Sequence, residues 1–301
     1  MSTRSPAIVT AAAVMSLASL LAACSSAPPA PSSASPSSAP SPTAPALAEL
    51  VLRVTSEGGF IAPSAHLAQL PVVVVYADGR ILTPSPADGV DPGPLLPVES
   101  VRTVGAAGIA AIRAAISAAG LDAEGGTNPG LGADAADTVF TVQAVGKVVT
   151  TRFPALGVGG PGPGRPGLPG ASADPQRAAA LDLLTRLTDA TDSWGSPAAG
   201  AIVYAPTAYR VFVVPGAPLA SDTGMPAHAI AWPLATPLAS FGRPAVPDRG
   251  ISGLRVGVVS GADAAMLAPL LEAATQATPF ASGGASFTLH VSPLLPDESG
   301  G

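Results

Sequence analysis

The sequence predicts an α+β fold, mainly antiparallel sheets built from hairpins with a few helices packed on them. Three observations carry that expectation: apolar residues alternate in short runs of strand length, Asp-Gly and Gly-Lys steps sit where hairpins would turn, and longer stretches with helical spacing are few. Taken in order, Leu50, Leu52 and Val54 alternate with Val51, Arg53 and Thr55, the period of a strand. Val72 to Tyr76 and Ile81-Leu82 flank Asp78-Gly79, and Asp-Gly supplies the positive φ that a type I′ hairpin turn needs. Val98 to Val104 reads as another strand. Ala106 to Ala119 reads as a helix with Ile109, Ile112 and Ile116 on one face and Gly120 as its C′ residue.

Thr138 to Phe153 holds a further hairpin turning near Gly146-Lys147, and Pro154 to Ala171 is too dense in Pro and Gly for regular hydrogen bonding. A second helix starts at Asp174-Pro175, where Asp caps and Pro suits the first turn; its expected inward face is Ala178, Leu181, Leu184 and Leu187, and Gly195 its end. Strands are expected at Ala208 to Val214, around Ile230 to Leu234, at Leu254 to Val259 and at Ser286 to Val291. Between the last two lies a helix from Gly261 to Ala274, with Ser260 and Asp263 spaced as a capping box and Leu267, Leu270 and Leu271 inward. The order strand, helix, strand recurs at Val98 to Val142 and at Leu254 to Val291, a hint of two similar α+β units, 47–196 and 197–301.

Composition bounds the function. The 301 residues include 35 Pro and 33 Gly, together nearly twice the usual share of about 12%, while charged residues make up only 11%. The net charge is −6 and Lys147 is the only lysine, which argues against a clustered basic face for nucleic acid. One cysteine, Cys24, excludes an intrachain disulfide, a Cys-ligated zinc and a CxxC redox pair. No cofactor is expected.

The position of Cys24 gives it a role. Residues 1–23 have Arg4 near the start, then an uncharged apolar run and a small-residue end, which is a secretion signal. Its ending, Leu21-Ala22-Ala23-Cys24, resembles the lipobox of bacterial lipoproteins. That resemblance implies a diacylglyceryl thioether on Cys24, cleavage before it, and anchoring in membrane lipid on the extracytoplasmic face; two acyl chains hold stably where one does not. From Ser25 to Ala46 the chain has seven Pro, eight Ser and no charge, a segment too polar to fold. As polyproline II, at ~3.1 Å per residue, it reaches on the order of 70 Å.

Glu57-Gly58-Gly59-Phe60, Leu70-Pro71, Tyr76-Ala77-Asp78-Gly79-Arg80, Pro92-Gly93-Pro94-Leu95-Leu96-Pro97, Ala119-Gly120-Leu121 and Pro293-Leu294-Leu295-Pro296-Asp297-Glu298 together resemble a family of uncharacterised lipoproteins from high-GC Gram-positive bacteria. The resemblance implies location and domain extent and transfers no site.

Chemistry is sparse. Gly157 to Gly162 and Gly162 to Gly167 match GxGxxG, but prolines delete the N–H groups a pyrophosphate needs. No GxSxG or SxxK occurs, and His66, His228 and His290 are far apart. Asp88, Asp91, Asp134 and Asp137 fit turns and strand starts. Glu57 and Phe60 remain as candidate ligand-binding residues, because a Gly pair beside an aromatic lets a ligand approach backbone. The leading expectation is a non-catalytic lipoprotein whose domain contacts an envelope protein or cell-wall component. A solute-binding receptor of a transporter and a secreted hydrolase are the alternatives.

Overall fold

The computed structural model describes residues 47–85, 92–127, 134–158, 174–195, 200–218, 228–245 and 250–298. Its first sheet takes β1 (Leu50–Glu57), β2 (Val73–Tyr76), β3 (Arg80–Pro84) and β4 (Glu99–Thr103), then, after helix α1 (Ala106–Ala118), β5 (Gly126–Thr127), β6 (Asp137–Ala144) and β7 (Lys147–Pro154). Helix α2 (Pro175–Thr188) and β8 (Ile202–Val203) complete it. The strand order is β5-β7-β6-β1-β2-β3-β4-β8, antiparallel except where β5 meets β7.

A second sheet takes β9 (Ala208–Pro215), β10 (Ile230–Ala231), β11 (Arg243–Pro244), β12 (Arg255–Ser260), β13 (Phe280–Ser282) and β14 (Ala285–Pro293), with helix α3 (Gly261–Ala273) between β12 and β13. Its order is β10-β13-β14-β9-β12-β11. The fold is therefore α+β, two mostly antiparallel sheets of eight and six strands with three helices among the described residues. No helix among the described residues is long and apolar enough to cross a membrane.

Burial explains the sequence runs. Helices α1 and α2 cover one face of the first sheet through Val54, Val73, Val75, Phe140, Ile112 and Leu183. Strand β2 is buried at all four positions because its other face is covered too, by Leu295 against Val74 and Tyr76. That is why Val72 to Tyr76 shows no alternation. A register shift between Leu50 and Leu52 lets the adjacent Val51 and Leu52 both enter the helix-side core. Helix α1 ends as expected: Gly120 has φ +66°, and the Gly120 and Leu121 N–H groups donate to the Ser117 and Ile116 carbonyls, a Schellman closure. In the second sheet, α3 packs on β9, β12 and β14 through Leu267, Leu271, Val211, Val259 and Leu289.

Several local expectations change. The β2–β3 turn is not type I′: Gly79 alone has positive φ, +93°, and its N–H donates to the Tyr76 carbonyl. This is a type I turn closed by a glycine bulge. A side chain at Gly79 would put Cβ 2.1 Å from the Val104 carbonyl oxygen. Helix α2 buries Arg177, Ala180, Leu183 and Leu187, not Ala178 and Leu181, while Leu184 is half-buried. The phase is set by Arg177, whose guanidinium donates to the Pro154 and Ala155 carbonyls at 2.6 Å and draws its side of the helix inward. The helix stops at Thr188 rather than at Gly195, and Arg102 donates to the Leu187 carbonyl in its last turn and to the Asp192 carbonyl beyond it. At α3, Ser260 makes no side-chain cap bond, and the helix opens with Gly261 at φ +60°; Leu270 is only half-buried.

The recurring strand, helix, strand order is not a repeated topology. Between β4 and β6 the chain passes over β3, β2 and β1, whereas between β12 and β14 it passes over β9 alone. Residues 46–301 form one compact unit. Within it, β8 pairs with β4, Leu95 and Leu96 from the β3–β4 connection sit in the α3 core, and the chain's last described residues return to the first sheet.

Candidate functional site

The C-terminal residues build the site. After β14 the chain crosses the face of the first sheet opposite the helices, and the Pro296 carbonyl accepts from the Ala48 N–H at 2.9 Å. Leu295 is buried among Val74, Tyr76, Leu82 and Val101. Asp297 then accepts two bonds from Arg53 Nη2, at 2.8 and 2.9 Å, and one from the Tyr76 hydroxyl at 2.7 Å. Glu298 accepts from Arg53 Nη1 and from the Leu295 N–H, both at 3.1 Å. Burial works against the Arg53 charge, but Asp297 and Glu298 outweigh it and hold the guanidinium above its ordinary value. Burial, and then the bond to Asp297, push the Tyr76 hydroxyl well above the usual phenol range.

Beside this strap lies an open cleft of about 610 Å³. Alternation along β1 turns Arg53, Thr55 and Glu57 to it, away from Val54 and the helices. From the second sheet come Arg210 of β9 and Ser292 of β14, which are register partners. His66 and Gln69 close another side, with Nδ1 of His66 3.2 Å from Oε1 of Gln69. Phe212, Val258 and His290 share the Arg210 face and are half-buried. Burial pushes the His290 imidazole below its ordinary value. Among the described residues, no three His, Cys, Asp or Glu side chains gather as a metal would need.

The sequence candidates fall out unevenly. Cys24 and its neighbours Leu21, Ala22 and Ala23 lie outside the described residues, as do Asp88 and Asp91. Glu57 lines the cleft, with Oε2 held by Arg152 at 2.6 Å, and Asp137 accepts from the same guanidinium. Phe60 is 92% exposed at the end of the loop after β1. What approaches the Gly59 backbone is the chain itself, since a Cβ there would stand 3.2 Å from the Ala136 nitrogen, whereas Gly58 is open and lines the cleft. Arg53, Arg210, Ser292 and Glu298 were not among the expected site residues. Of the short segments singled out in the sequence, Glu57-Gly58, Leu70-Pro71 and the closing Pro293 to Glu298 converge on this cleft, and of the four residues only Glu298 lies in one of them.

A second polar feature sits near the strap. Glu99 of β4 is 2% exposed, and neither carboxylate oxygen has a hydrogen-bond partner among the described residues. Burial raises its pKa to about 7, against the opposing pull of Arg53. No protein-family model, curated protein or solved structure matches the chain, so the cleft has to be understood from its own atoms.

Proposed function

We propose that the protein is a lipoprotein anchored through Cys24 on the extracytoplasmic face of the cell membrane, carrying a binding module at the end of its tether. The observation that carries this reading is the chain order: a secretion signal ending in Leu21-Ala22-Ala23-Cys24, an uncharged Pro- and Ser-rich tether, and then a compact α+β unit. The only thiol of the chain stands where lipidation would need it. Contact with an envelope protein or cell-wall component is the expected role of the module, and an open polar cleft favours a solute-binding role as the second reading.

Cys24→Ala tests the anchor. The variant should move from the membrane fraction to the soluble or secreted fraction of a bacterium that lipidates its exported proteins, while the domain stays folded. Retention of the variant in the membrane fraction, at the level of the parent protein, would contradict the reading.

A further inference from the structure

We propose that the cleft binds a carboxylate-bearing ligand, with Arg210 as the group that grips it. The proposal rests on reading the folded unit as a binding module and names the chemistry of what it binds.

Charge matching inside the cleft points to Arg210. Glu57 is matched by Arg152 at 2.6 Å. Glu298 is matched by Arg53 and by the Leu295 N–H, and Arg53 is filled by Asp297 and Glu298 together. Arg210 differs: among the described residues its partner is Glu298, at 3.5 Å, and its side chain is 32% exposed. A guanidinium offers five donors in a rigid fork that fits a carboxylate with two parallel bonds. This protein already pairs a carboxylate with a guanidinium nearby, where both Asp297 oxygens accept from Nη2 of Arg53. A ligand carboxylate on Arg210 would be a second such ion pair.

The neighbours narrow the class. Glu57 and Glu298 also line the cleft, and their charges disfavour a dianion such as phosphate beside Arg210, which Glu298 holds only at 3.5 Å. A monoanionic carboxylate meets less repulsion. The Ser292 hydroxyl sits beside Arg210 in register, and Gln69 offers an amide across the cleft. Leu70, Pro71 and Pro293, which line the cleft, give apolar surface for the body of the ligand. The carboxylate could belong to a small free acid or to a peptide C-terminus.

The test titrates the mature chain in detergent, at pH 7 and constant ionic strength, with lactate, with N-acetyl-alanyl-alanine as the free acid, and with the same dipeptide as its amide. A saturable rise in melting temperature is expected with at least one acid and none with the amide. Response to lactate alone identifies a small acid, and response to the dipeptide acid alone a peptide terminus. Arg210→Gln should weaken the response by at least about tenfold. Arg210→Lys, which keeps the charge and loses the fork, gives a second variant if Arg210→Gln fails to fold; it should also bind more weakly. No saturable shift with either acid, an equal shift with the amide, or undiminished binding in the variants overturns the proposal. Such a result leaves the fractionation of Cys24→Ala unaffected, so the two readings fail separately.

Discussion

Glu99 is the residue whose chemistry departs most from its surroundings. Its carboxyl is buried without a hydrogen-bond partner among the described residues, and its pKa in the fold is about 7, against 4.5 for a free side chain. The folded state therefore favours the protonated acid. The stability this gives is fully present below the unfolded value and is lost as pH rises through about 7. The loss is at most on the order of 3 kcal/mol, since one pKa unit is about 1.4 kcal/mol. Glu99→Gln should flatten the dependence, so that urea midpoints at pH 5 and pH 8 lie closer together than in the parent protein. An unchanged gap between the two midpoints would show that Glu99 does not control it. The sequence could not single out this residue. Glu99 stands beside Ser100 in a strand like many surface carboxylates, and what buries it comes from distant segments. Arg53 and Arg210 escaped notice for the same reason, since the partners of Arg53 lie 244 and 245 residues away.

Among the elements, α2 separates period from phase. The 3.6-residue spacing of its leucines was legible, and so was its start, where the Asp174 carboxylate accepts from the Gln176 and Arg177 N–H groups. The face that turns inward was not, because a charged side chain, Arg177, helps choose it. Leu183 is 2% exposed and Leu181 37%. Leu183→Ala should therefore cost about 2–5 kcal/mol in chemical unfolding, and Leu181→Ala under about 1 kcal/mol. Equal costs would return the helix to the phase its leucine spacing implied. The β2–β3 hairpin teaches a similar lesson. Its position follows from Asp78-Gly79, yet the turn type depends on Val104, whose N–H donates to the Gly79 carbonyl at 2.9 Å. Strand positions were legible wherever one sheet face is buried, as along β9, where Tyr209, Val211 and Val213 alternate with half-buried residues.

At the scale of the whole molecule, the two sheets are joined by exchange of chain. Leu95 and Leu96 leave the first half for the α3 core, and Leu295, Asp297 and Glu298 return from the last strand to β1 and β2. The cleft exists because of that return, which puts Arg210 of the second sheet beside Arg53 of the first. Alternation and turn residues report neighbours within a few positions and are silent on such crossings, so the fold class was readable and the cleft was not. The first forty-six residues work the other way. The role proposed for them rests on local chemistry alone, the charge, length and ending of the segment before Cys24. The proposed placement of this folded unit at a membrane surface depends on one bond, a thioether at Cys24. Mass spectrometry of the N-terminal peptide, from protein extracted from membranes, tests it most directly. The expected result is a chain that begins at Cys24 and carries a diacylglyceryl group; a chain that begins elsewhere, or at Cys24 with a free thiol, would contradict the account.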